Sequence, residues 1–168
     1  MKRLIYSFGI LLILIGLTGC AGVYYSVPVK TNISNENKYF IATIKPTNPS
    51  MVAGYSAFIL NIKNKTDKDL EVDWNKTYYI KNGQSKGTFM FEGIIFRDRN
   101  QPKAPDVVFA NSEFSKLIFP NNYVHYDKYG WTHWGTGTGK QGVYLTINVD
   151  GKAVKQRIII DVKEGKQK

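Results

Sequence analysis

Apolar and polar residues alternate with a period of two through most of the chain beyond its first forty positions. In "AFILNIKN" (57–64), Phe58, Leu60 and Ile62 share one face while Asn61 and Lys63 share the other, and in "LEVDW" (70–74) Leu70, Val72 and Trp74 oppose Glu71 and Asp73. A two-residue period places alternate side chains on opposite sides of a strand, so both segments predict half-buried strands. The intervening "NKTDKD" is turn-rich and of hairpin length. The stretch "TYYIKNGQSKGTFMF" (77–91) repeats the alternation around Asn82-Gly83, a pair able to take the positive φ angles of a tight hairpin turn. The clearest predicted hairpin is "GVYLTINVDGKAVKQRIIIDV" (142–162). There Val143, Leu145, Ile147 and Val149 alternate with polar residues, Asp150-Gly151 turns the chain, and Val154, Ile158, Ile160 and Val162 return on one face, with Ile159 making the other face less than wholly polar.

No apolar stripe of helical period and useful length follows residue 20. Strands of this size joined by short turns predict an all-β, antiparallel β-sandwich, with a small β-barrel as the alternative architecture. Trp74, at the end of a central strand, resembles the core tryptophan of immunoglobulin-like domains, which packs between the two sheets, and the sandwich is expected to be of that kind. The paired cysteines of antibody domains are absent. "GVYLT" (142–146) resembles the tyrosine corner of those domains only superficially, because alternation puts Tyr144 and Thr146 opposite the Val143, Leu145, Ile147 face.

The first twenty residues have a different pattern. Lys2 and Arg3 are followed by an apolar run from Ile5 to Leu17 and then by small residues. A helix needs about 20 apolar residues to span a bilayer core, so this run is short, and its three regions are those of a secretory signal. Leu17, Thr18, Gly19 and Cys20 resemble the lipobox of bacterial lipoprotein precursors. That resemblance implies cleavage between Gly19 and Cys20, a diacylglycerol thioether on Cys20 and an acyl group on the new amino terminus. The alternative is an ordinary signal peptide that happens to end at a cysteine. One acyl chain holds a protein to a bilayer only marginally, whereas two or three hold it stably. The expected organisation is a signal peptide (1–19), a lipidated terminus and tether (20–38) in which Tyr24, Tyr25 and Val27 could add an edge strand, a sandwich domain (39–163) and a basic tail (164–168).

Composition narrows the partners. The chain of 168 residues carries a formal net charge of +10, and loss of Lys2 and Arg3 would remove two of its 23 basic residues and none of its 13 acidic ones. A basic balance suits nucleic acid, an anionic surface or plain solubility. Export argues against nucleic acid, and the lysines are scattered outside "KEGKQK" (163–168). A single cysteine cannot form an internal disulfide, so it is unpaired or has another use, and the lipobox resemblance implies lipidation as that use.

Several motifs that suggest chemistry do not meet its requirements. "GTGTGK" (135–140) lacks Walker spacing, and Gln141 stands where Ser or Thr is needed. His125 and His133, even with Asp127, are too few donors for a zinc site, so no metal or other cofactor is expected beyond the lipid on Cys20. Nothing like Gly-x-Ser-x-Gly occurs, no thiol remains after lipidation, and the acid pairs Asp67/Asp69 and Glu71/Asp73 read as solubilising charges, so no catalytic residue is assigned. The most unusual segment is "NNYVHYDKYGWTHWGTGTG" (121–139). Tyr and Trp give large contact areas at low entropic cost, and Tyr126, Tyr129, Trp131, His133 and Trp134 are the candidate recognition loop. The competing expectation is that Trp131 and Trp134 fold back as a satellite core.

These readings together predict an exported, lipid-anchored, non-catalytic module that docks an envelope protein or a glycan. A structural accessory subunit of an envelope complex is the second reading and a hydrolase the weakest. Ala21 after the lipidated cysteine resembles the type sent on to the outer membrane, facing the periplasm. In a host with a single membrane the same anchor places the domain on its external face. The sequence leaves the oligomeric state open.

Overall fold

The structure, a computed structural model, describes residues 24–28, 32–50, 54–128 and 130–166. The lipobox, Cys20 and Tyr129 lie outside the described residues. Strands dominate, and the only helical turns among the described residues are two short 3-10 segments, η1 (Phe96–Asp98) and η2 (Asn121–Tyr123).

Two antiparallel sheets face each other, and neither closes into a barrel. The first sheet (sheet I) runs β2 (Ile33–Glu36), β3 (Phe40–Ser50), β4 (Gly54–Asn64), β10 (Glu113–Pro120), β8 (Phe89–Met90). The second (sheet II) runs β1 (Tyr24–Pro28), β14 (Lys152–Lys166), β13 (Gly139–Val149), β5 (Leu70–Val72), β9 (Asp106–Val108). In sheet II, β6 (Tyr78–Lys81) also lies along β13 and carries β7 (Gln84–Ser85). The order β3-β4-β10-β8 against β5/β6-β13-β14 is the A-B-E-D and C-F-G arrangement of the immunoglobulin sandwich.

The hairpin turns form where the sequence places them. Asn82 and Gly83 have φ of 49° and 82°, Asp150 and Gly151 49° and 73°, and each pair closes a two-residue turn. "NKTDKD" does not close a hairpin, because β4 belongs to sheet I and β5 to sheet II. The segment crosses between sheets around the buried Asn64 side chain. Its amide donates to the carbonyls of Lys68 (2.7 Å), Val108 (3.1 Å) and Phe109 (3.0 Å), and its oxygen accepts from the Thr66 backbone (2.9 Å) and hydroxyl (2.8 Å). The folded domain also exceeds its expected limits of 39 and 163. Within the segment expected to be a tether, β1 pairs with β14 and β2 with β3, while β14 runs through Lys166. The edge strand allowed at Tyr24, Tyr25 and Val27 forms as β1, whereas three of the four residues of β2 are polar and hid its pairing, since edge strands need no alternating apolar face.

The strand at the C position is broken into β5 and β6, and Trp74 sits at the break, almost fully buried. Its indole N–H donates to the Asp106 carboxylate at 2.8 Å, and its ring lies 4.9 Å from that of Phe91. The break also explains Thr146, which alternation puts on the outer face and which is nevertheless buried. Its backbone N–H donates to the Thr77 hydroxyl (3.1 Å) and its own hydroxyl donates to the Lys76 carbonyl (2.7 Å), replacing ladder bonds that the interrupted strand cannot make. The main core lies between the sheets, from Phe40, Ile44, Phe58, Leu60 and Ile62 on one side to Leu145, Ile147, Ile158 and Ile160 on the other.

Candidate functional site

The aromatic segment 121–139 occupies the connection between β10 and β13 and forms a hairpin of its own, β11 (Val124–Asp127) and β12 (Gly130–His133). The register pairs Val124 with His133 and Tyr126 with Trp131 on one face, and His125 with Thr132 on the other. The first face lies over the outer side of sheet I. Val124 is buried there with Ala57, Met90 and Phe119 in a second apolar cluster, and Trp131 packs against it. The His133 ring stacks on Phe119 with centroids 4.4 Å apart and planes 16° from parallel. Partial burial pushes the His133 imidazole pKa below its usual range, because the cationic form loses hydration against the ring.

The candidate residues thus divide into unequal groups. Trp131 is half-buried and His133 is exposed at its edge, while Tyr126 and Trp134 stay 62% and 64% exposed. Tyr126 reaches the Phe96 ring at 5.9 Å, and Arg99 covers that ring with its guanidinium carbon 4.2 Å from the centroid. Trp134 lies on the opposite side of the hairpin, 3.8 Å from His125 between ring centroids. The two histidines therefore point to opposite faces. Among the described residues, no group of three or more His, Cys, Asp and Glu side chains is placed to hold a metal ion.

The second end of the hairpin is clamped by "GTGTGK", which connects β12 to β13, strand to strand. The Trp134 N–H donates to the Tyr123 carbonyl at 2.9 Å, and the Thr136 N–H and hydroxyl both donate to the Tyr55 carbonyl, at 2.8 and 2.7 Å. The Lys81 ammonium donates to the Thr136 carbonyl, and the Gln141 amide to the Gly137 carbonyl. Gln141 accepts in turn from the Tyr79 hydroxyl at 2.9 Å. Burial pushes the Tyr79 hydroxyl pKa far above the usual tyrosine range, so it stays a donor. Glycine is required at Gly54, whose φ is 82° and whose added Cβ would lie 2.7 Å from the Gly137 carbonyl oxygen. The loop is thus built into the sandwich.

Between the hairpin and sheet I runs a groove of about 660 Å³. Trp131 and His133 form one wall, Leu117 and Phe119 of β10 the floor, and Glu92 to Ile95 the other wall. Ile95 is 63% exposed on its rim. Sequence reasoning named the hairpin wall and missed the other two. The signal was present in "LIFP" (117–120), where consecutive apolar residues break the alternation of β10: Ile118 faces the main core, and Leu117 and Phe119 face outward to the groove. The chain matches no protein-family model, no curated protein and no solved structure.

Proposed function

We propose that this protein is a lipid-anchored envelope module that binds an apolar segment of another protein in the groove between the β11–β12 hairpin and β10. The observation that supports this reading is the groove itself: an open trough walled by Trp131, Phe119, Leu117 and Ile95, with Glu92 and His133 its ionisable side chains. A glycan presents many hydroxyls and needs several polar side chains as partners, whereas an apolar wall with few polar groups suits aliphatic or aromatic side chains. Large apolar residues left exposed together on one rim mark contact surfaces. Tyr126 and Trp134 add ring area on either side of the hairpin. The two histidines, His133 stacked on Phe119 and His125 tilted against Trp134 on the opposite face, fit binding better than catalysis.

A photo-crosslinking residue at Ile95 tests the groove. The expected result is one dominant protein adduct in intact envelopes, lost when Leu117→Lys fills the floor with charge, with the melting temperature unchanged. An adduct that survives this substitution would place the partner elsewhere. The anchor is tested by intact mass of the native protein, which should begin at Cys20 and carry diacylglycerol. An unprocessed leader or a free thiol would remove the membrane from the reading.

The accessory-subunit reading has one feature in its favour: Val107 and Phe109, at the β9 edge of sheet II, are 42% and 65% exposed, away from the groove. A stable complex of fixed stoichiometry in mild detergent, with crosslinks from Phe109 as well as Ile95, would favour it.

A further inference from the structure

We propose that the outer face of sheet II, on β6, β13 and β14, rests on the anionic headgroups of the membrane that holds the protein. The inference depends on the lipid-anchor reading of Cys20 and adds an orientation to it.

Alternation and register assign the residues of this face. Val143 and Tyr79 point into the core, so Tyr78 and Tyr144, which are direct cross-strand neighbours, point outward, and Tyr144 pairs on its other side with Arg157. Lys155, Arg157 and Lys163 follow on the outward positions of β14, and Lys140 on β13. The carboxylates on this face are Asp161, cross-strand from Lys140 and 3.9 Å from Lys163, with Glu71 on β5 and Asp73 just after it, the last paired with Lys76.

Several lysines off the β13–β14 stretch sit beside carboxylates, Lys63 with Glu113 (3.2 Å), Lys65 with Glu36 (2.5 Å), Lys68 with Asp150 (2.8 Å) and Lys76 with Asp73 (3.3 Å), while Lys38 and Lys45 have no such partner among the described ion pairs. Among the described residues, Lys140, Lys155 and Arg157 are exposed and make no ion pair. Unneutralised cations on one flat surface attract an anionic leaflet, and interfacial tyrosines settle at headgroup depth.

Chain length brings the same face to the membrane. Cys20 precedes Tyr24 by four residues, which span at most about 14 Å when extended. Tyr24 is held in β1 against Lys166, on the edge strand beside β14. Acyl chains on Cys20 would therefore keep this edge of sheet II near the headgroups, and Lys163 lies on it, paired in register with Val27. A lipid anchor joined to a basic patch gives a stable hold where either alone is marginal. The two outer faces of a sandwich are back to back, so this orientation turns the groove on sheet I away from the bilayer, where a partner can reach it.

Lysine acetylation footprinting of the full chain, as processed by the cell, tests the orientation in lipid nanodiscs. One set holds phosphatidylcholine alone and the other phosphatidylcholine mixed with phosphatidylglycerol. Lys140 and Lys155 are expected to react about fivefold more slowly in the anionic discs, the effect of about one basic side chain's attraction to the surface. Lys45, exposed on sheet I, should react equally in both. High salt should abolish the protection, as should Arg157→Glu, with Lys155→Gln giving a partial loss if the charge reversal does not fold. Equal rates at Lys155 in the two kinds of disc would overturn the proposal, and so would protection that appears only on adding a soluble polyanion such as dextran sulfate. A chain that enters neither kind of disc would overturn the anchor reading and this inference together, while entry without protection would overturn the orientation alone.

Discussion

Trp74 and Trp134 are both placed by strands of the same kind, yet one is enclosed and the other stands in solvent. Trp74 lies between two sheets. Phe91 packs on it, Lys116 of β10 holds its ammonium 5.4 Å from the indole, and Asp106 accepts its N–H while also pairing with Lys116. The hairpin that precedes Trp134 has only one layer beneath it, the outer side of sheet I. Val124 is buried there, Trp131 is half-covered, and on the far side of the hairpin Trp134 stands exposed over the half-buried His125. Enclosure of an aromatic ring therefore depends on how many layers flank its strand, and local sequence does not carry that number. The main core stabilises the fold from both sides, while the satellite cluster leaves Tyr126 and Trp134 exposed.

Substitutions should sharpen this contrast. The largest loss is expected from Trp74→Ala, about 3–5 kcal/mol of unfolding free energy, because a large cavity opens and Asp106 loses a donor. Urea denaturation measures it, and a loss as small as that of a surface substitution would remove the distinction between the two regions. Next comes Gly142→Ala at the centre of sheet II. An added Cβ would lie 1.9 Å from the Ile158 carbonyl oxygen, so the β13–β14 ladder must part, at a cost of about 1–3 kcal/mol. Amide exchange should then quicken along β13 and β14 and remain slow in β3 and β4.

A smaller loss, about 1–1.5 kcal/mol or half the value of a full aromatic burial, is expected for Trp131→Ala. It should appear in thermal melts without disturbing exchange in the main core, and a loss equal to that of Trp74→Ala would make the hairpin part of the main core. The smallest effect concerns pH. The folded-state pKa of His133 is lowered by burial against its usual 6.5, so its contribution to stability is complete above that value and declines as pH falls through the lowered one. Melting temperature should therefore drop slightly between neutral and mildly acidic pH. His133→Phe, which keeps the stack on Phe119 and cannot take a proton, should flatten that slope, and an unchanged slope would assign it to other groups.

Much of the architecture was legible from alternation. The strands at 57–64, 70–74 and 142–162 and the turns at Asn82-Gly83 and Asp150-Gly151 are set by local rules, a two-residue period and backbone that only a few residue types adopt. An edge strand at Tyr24, Tyr25 and Val27 was allowed for, but β2 was not legible as a folded part, since its pairing with β3 rests on backbone hydrogen bonds, which every residue can make. The groove was half legible. Clustered rings marked the hairpin, while Leu117, Phe119 and Ile95 come from segments distant in sequence and gain meaning only when β10 and the 92–95 turn lie beside it.

By itself, then, the sequence determined strand period, turn positions and an all-β character, because each is written in residues a few positions apart. Tertiary structure alone decided which sheet each strand joined, why the outward Thr146 is buried, and which tryptophans are enclosed. Those outcomes depend on what packs against a face from elsewhere in the chain, and no short stretch of residues specifies its own neighbours.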